Sequence, residues 1–147
     1  NVGNTPAEVI ESEVPMLVAE RSLWEDSAGP GKYRGGFGQK YVLQMLEGEL
    51  GPVGDVLASF RGGRFVHPPE GVLGGGAAPN GFLSTRGEQD DAGRQIILRA
   101  GDRIVSHIPG GGGYGDPRER DPLAVARDLK NGLISIEHAR KHYGYVG

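Results

Sequence analysis

The residues best placed to hold a ligand form a glycine run late in the chain. Gly110, Gly112 and Gly115 match G-x-G-x-x-G directly after an apolar stretch, the spacing that lets a backbone approach a dinucleotide pyrophosphate. That chemistry needs a helix to begin inside the turn, so that its first amides face the phosphates. Here Asp116-Pro117-Arg118-Glu119-Arg120 intervenes, and the first helix signal is Asp121. The run therefore reads as a passage where two backbones come close. A Walker-type loop is absent, because Gly31-Lys32 is followed by Tyr33 and has no glycine five places before it.

Other reactive types are scattered. His138 and His142 stand four apart, as two metal ligands on a helix would, but the glutamate that follows the first histidine in a zincin is missing, and no third ligand is evident. A solvated helix face is the expectation. Arg61 and Arg64 flank Gly62-Gly63, while Arg118 and Arg120 sit among Asp116, Glu119 and Asp121. Such clusters fork onto anions or, more often, pair with carboxylates that order a loop. Ser84 and Ser106-His107 lie in no G-x-S-x-G elbow, so acyl transfer has no support. Trp24 and Tyr33 read as packing residues. Gly110, Gly112, Gly115, Asp116, Arg118, Arg120 and Asp121 remain as candidates for a structural or partner-facing loop. No catalytic, cofactor-binding or metal-binding residue is assigned.

The elements that must position these groups are legible in outline. Thr5 and Glu8 match a capping box with Pro6 at the first helical position, and Pro15 ends that helix. Residues 16–24 read as extended, and 27–31 as a turn. Alternation marks a strand at 39–47, and 55–60 and 82–86 are further strand candidates. Residues 94–99 and 103–108 look like a hairpin joined around Ala100-Gly101-Asp102. The stretch 62–81, with three prolines and Gly74-Gly75-Gly76, is long for a loop and reads as functional or packed against something outside itself. Asp121 caps a helix opening at Pro122 and closing at Asn131-Gly132, and Ser135 caps a second that Gly144 ends. The fold class expected is α+β, a β-rich body with a short N-terminal helix and two short C-terminal helices, in a single domain or segment over 1–147.

Composition bounds the function. Glycine and proline supply 27 and 10 of 147 residues, near the range of low-complexity chains. Leu, Ile, Val and Phe still make up about a quarter, and the net charge is only −3, so a packed core is expected. No cysteine is present, which excludes disulfides and thiolate chemistry. A pI near 5.8 argues against nucleic acid. No apolar run approaches a membrane span, and no secretory leader opens the sequence, so a cytoplasmic location is expected.

Longer strings carry a resemblance. Residues 109–117 (PGGGGYGDP), Arg120-Asp121-Pro122 and Asn131-Gly-Leu-Ile-Ser135 ending in Tyr143-Gly144 are joined by Asn4-Thr5-Pro6-Ala7-Glu8, residues 27–36 (SAGPGKYRGG) and Leu98-Arg-Ala-Gly-Asp102. Together, and in order, they resemble the C-terminal part of hydantoinase B/oxoprolinase-type proteins. The resemblance implies part of an ATP-dependent enzyme for cyclic amides such as hydantoins or 5-oxoproline, inactive alone. It implies two partners, an upstream hydantoinase B-type region and an ATP-handling hydantoinase A-type subunit, in a hetero-oligomer without nucleic acid or membrane. Phosphorylation of an amide oxygen makes a poor electrophile reactive, and the product must be kept from bulk water. ATP and a divalent metal are expected in the complete enzyme, neither bound by this chain. Two alternatives stand beside this: part of a related ketone carboxylase, or a non-catalytic β-rich scaffold.

Overall fold

The computed structural model describes residues 4–52, 54–60, 62–90 and 95–147. Three helices and seven strands follow in the order α1 (Ala7–Glu13), β1 (Met16–Leu23), β2 (Gln39–Met45), β3 (Val56–Ser59), β4 (Phe82–Thr85), β5 (Glu88–Asp90), β6 (Gln95–Leu98), β7 (Arg103–Ile108), α2 (Pro122–Lys130) and α3 (Ile136–Tyr143). This is the β-rich α+β class that the sequence predicts. Five strands form an antiparallel sheet in the order β1-β2-β7-β4-β5, and β3 pairs with β6 in a second, two-stranded sheet.

The main core lies between these sheets. Met45, Leu83 and Ile104 from the larger sheet meet Ile96 and Leu98 from the smaller one, with Val56, Ala58 and Phe60 packed alongside. The strict period of two explains the arrangement: in β6, Ile96 and Leu98 are buried while Gln95 and Ile97 face outward. A second cluster joins α2 and α3 through Val125, Ile134 and Ala139, with Phe37, Leu129, Tyr143 and Tyr145 against it.

Two sequence expectations change. Residues 95–98 and 103–108 are adjacent strands but not a hairpin, because β7 is held by β2 on one edge and β4 on the other. The turn between them is locked by Asp102, whose carboxylate accepts the Arg99 amide and binds Arg86, and it sends the chain from one sheet to the other. Arg94 lies outside the described residues. The capping box at Thr5 does not form, since the residue preceding α1 is Pro6, which offers no side-chain cap. A hairpin that sequence reading missed joins β4 to β5 through Arg86-Gly87, both with positive φ, the geometry of a type I′ turn.

Between the two cores lies a layer built almost wholly from main chain. Segments 27–36, 70–78 and 109–115 run side by side, linked by Gly29 N–H to Gly111 O (2.8 Å), Gly111 N–H to Gly36 O (2.9 Å), Gly76 N–H to Pro30 O (2.7 Å) and Val72 N–H to Gly113 O (2.8 Å). A methyl group at Gly35 would overlap the Gly111 carbonyl, and one at Gly112 would overlap that of Glu70. The long stretch 62–81 is therefore packed by its second half against the glycine run of this same chain.

Candidate functional site

The glycine run spends its amides on its neighbours. Gly110 donates to Ser27 O (2.9 Å), Gly113 to Gly76 O (2.9 Å), Tyr114 to Tyr33 O (2.9 Å) and Gly115 to Val72 O (3.0 Å). Gly110 and Gly113 are buried. Donors so engaged cannot turn toward a phosphate, and no helix begins in the run. Asp116 instead accepts the Arg118 amide at 2.9 Å and opens a short 3-10 turn over Pro117–Glu119.

The charged flank divides into two roles. Asp121 accepts the Leu123 amide at 3.0 Å and starts α2, with Pro122 at its first position. Arg118 is exposed. The Arg120 side chain is largely covered and bonds Asp128 Oδ2 through Nη2 at 2.9 Å. Arg34 grips the same carboxylate from the other side, with Nε at 2.7 Å and Nη2 at 3.2 Å, while its guanidinium lies 4.1 Å from the Phe37 ring centre. The Asp128 side chain is only 2% exposed. Burial alone would raise its pKa, but the Arg34 bonds and both positive charges outweigh that and hold it below the ordinary carboxylate value. This triad ties the glycine layer to the helices. Sequence reading found Arg120 but not its partner; the available signal was an aspartate three residues after Val125, on the apolar side of α2.

Histidines sit differently from expectation. His138 is largely buried rather than on a solvated face, with Nδ1 3.5 Å from Asp26 Oδ1 and its ring 4.5 Å from that of His142. Asp26 also accepts the Ser135 amide at 2.8 Å, and Ser135 caps α3 as the sequence predicts. Burial lowers the pKa of His138 despite the nearby Asp26 carboxylate, and lowers that of His142, which His138 and Lys141 depress further. Among the described residues no three of His, Asp and Glu converge to hold a metal. His107 stacks on Phe82 at 4.1 Å with Trp24 edge-on at 5.0 Å, which makes it a packing residue beside Ser106 and Ser84. Trp24 packs as expected, whereas Tyr33 is exposed. Arg61 lies outside the described residues. Arg64 borders an apolar cleft of about 400 Å³ with Phe60, Phe65, Ser106 and Ile108. No helix among the described residues is long and apolar enough to cross a membrane.

Among the described residues the arrangement comprises a main-chain wall, an ion-paired brace and an apolar cleft. Comparison with known proteins gives it a context. A family model described as Hydantoinase B/oxoprolinase matches residues 1–117. The chain is 37% identical over 151 residues to the beta subunit of a caprolactamase of Pseudomonas jessenii, covering 95% of this chain and 24% of that one. It is 30% identical over 120 residues to a 5-oxoprolinase of Dictyostelium discoideum, covering 78% and 9%. The crystal structure of the ATP-dependent caprolactamase from Pseudomonas jessenii superposes with a TM-score of 0.75 at 28% identity, covering 97% of this chain and 25% of that one. The chain thus spans about a quarter of the length of the caprolactamase polypeptide, and less of the oxoprolinase.

Proposed function

This chain belongs to the hydantoinase B/oxoprolinase family, and from that premise we propose that it is the C-terminal segment or small subunit of an ATP-dependent cyclic amidohydrolase, acting on a ring of the hydantoin or 5-oxoproline class. The similarity to a caprolactamase over nearly the whole chain carries the reading, since caprolactam is itself a cyclic amide. Its partners are the rest of a hydantoinase B-type region and an ATP-handling hydantoinase A-type subunit, assembled in the cytoplasm. In this reading ATP and a divalent metal are held by those partners, and the amides of Gly110, Gly111, Gly113 and Gly115 serve the packing of this chain's own segments.

The role left to this chain is to shape and seal. Added methyl groups at Gly29, Gly35, Gly75, Gly112 and Gly113 would strike neighbouring main chain, so the segments of this layer lie close enough to leave little room between them. Such a wall suits an activated intermediate that bulk water would destroy. The test is complementation. The Pseudomonas jessenii caprolactamase beta subunit, made without the quarter that this chain matches, is mixed with its ATP-handling partner, and ATP-dependent ring opening is followed with and without this chain. Activity that appears only on addition supports the reading. No gain over the partners alone overturns it, and carboxylation of a ketone without amide hydrolysis moves the chain to the carboxylase branch.

A further inference from the structure

Two of the strings that carry the family resemblance meet on one surface. Tyr33, in the Gly-Lys-Tyr-Arg-Gly segment, pairs antiparallel with Tyr114, in the glycine run, and Val72 pairs with Tyr114 from the other side. Directly opposed residues project from the same face, so Tyr33, Tyr114 and Val72 form a row across three bridged segments. Their exposures are 65%, 49% and 57%, and Leu73 next to Val72 is 71% exposed. The tyrosine ring centres are 6.3 Å apart.

Two features separate this row from ordinary exposed apolar residues. The first is rigidity: the backbone beneath it is the glycine layer, in which Tyr33 and Tyr114 exchange hydrogen bonds in both directions at 3.0 and 2.9 Å. A face already ordered loses little entropy when a partner covers it. The second is strain. Leu73 holds φ at 51°, a region costly for a bulky side chain, and its side chain gains almost no burial within this chain in return. A polar edge completes the face, since Lys32 and Glu119 pair beside it at 3.0 Å. This is the anatomy of a docking surface, with aromatic and aliphatic anchors at the centre and charges at the rim.

We propose that the face formed by Tyr33, Val72, Leu73 and Tyr114 docks the body of a hydantoinase B-type chain, the three-quarters of the caprolactamase polypeptide that has no counterpart in this sequence. The proposal rests on the family role argued above. Its occupant follows from length: the caprolactamase carries this quarter together with a body about three times larger, and the quarter must present that body with a built surface. The outward side of the two-stranded sheet, where Leu57 and Ile97 are exposed, is the competing face; it lacks both the ordered glycine backing and the strained anchor.

The experiment titrates this chain into the same shortened caprolactamase beta subunit by isothermal calorimetry, with sedimentation velocity on each species alone. Val72→Asp and Tyr114→Ser are expected to weaken the complex at least about tenfold, as central anchors do. Leu57→Asp should leave it unchanged, and unaltered circular dichroism and melting would show that all variants fold. A complex that forms but ignores Val72→Asp and Tyr114→Ser, or that only Leu57→Asp weakens, overturns the docking face and leaves the family role standing. Self-association of this chain abolished by Val72→Asp assigns the face to a second copy and overturns the proposal. Absence of any complex overturns the proposal together with the role it rests on.

Discussion

Asp128 shows how a single buried charge fixes two parts of this chain to each other. Its carboxylate receives both Arg34 and Arg120, so Asp128→Asn leaves two guanidinium groups in a largely dry site with no counter-charge. The expected loss is about 3–5 kcal/mol in urea unfolding, the range for breaking one side of a buried pair. Glu119→Gln, which cuts the exposed Lys32–Glu119 pair, is the control and should not shift the midpoint measurably. The histidines give a pH signature of opposite origin. Burial depresses the pKa of His107, His138 and His142 in the folded chain, so the unfolded chain takes up protons first. Stability should therefore fall as pH drops below about 6.5, the ordinary histidine value. Asp102 and Asp128 have lowered values, Asp102 chiefly through its Arg86 bond, and their contribution is lost only below about pH 4. Melting temperature followed from about pH 7.5 to 3 should show both stages, with His138→Gln flattening the upper one; a flat profile down to about pH 5 contradicts the assignment. The helix caps at Asp121 and Ser135 were legible in the sequence because capping is local. The Arg34–Asp128 and Ser135–Asp26 contacts were not, because those partners lie 94 and 109 residues apart.

Among the elements, the glycine layer makes the sharpest demand on residue type. Gly35 and Gly36 are neighbours in sequence with opposite surroundings: a Cβ at Gly35 collides with the Gly111 carbonyl, while one at Gly36 meets nothing within 4 Å. Gly35→Ala should cost about 3 kcal/mol or more, because the obstacle is main chain and cannot rotate away. Gly36→Ala should be close to neutral. Equal effects from the two, measured by denaturant unfolding, would show that the layer is looser than described. The sequence announced close backbone approach in the glycine run, but not which segments approach, since glycine leaves no pattern of period two or 3.6 to read. The β6–β7 misreading has a similar root. Two apolar runs around Ala100-Gly101-Asp102 look like a hairpin until pairing partners are known, and here β7 already has a strand on each edge. The β4–β5 hairpin escaped notice because Arg86-Gly87 lacks the asparagine or aspartate that usually marks such a turn.

At the level of the whole molecule, two cores and a glycine-rich layer hold the chain together, and that layer carries the exposed tyrosine row proposed above as a docking face. Family membership was readable from strings such as residues 109–117, while the geometry that brings those strings onto one face was not. The layer also constrains how the protein is made. Residues 109–115 bond to residues 27–36 across roughly eighty positions, and closing so long a loop carries an entropic cost before any contact repays it. Such non-local pairing slows folding. During translation the two earlier segments emerge before the one that lies between them, so groups that pair with it, such as the Val72 amide and the Gly36 carbonyl, wait for residues 111–113 to be made.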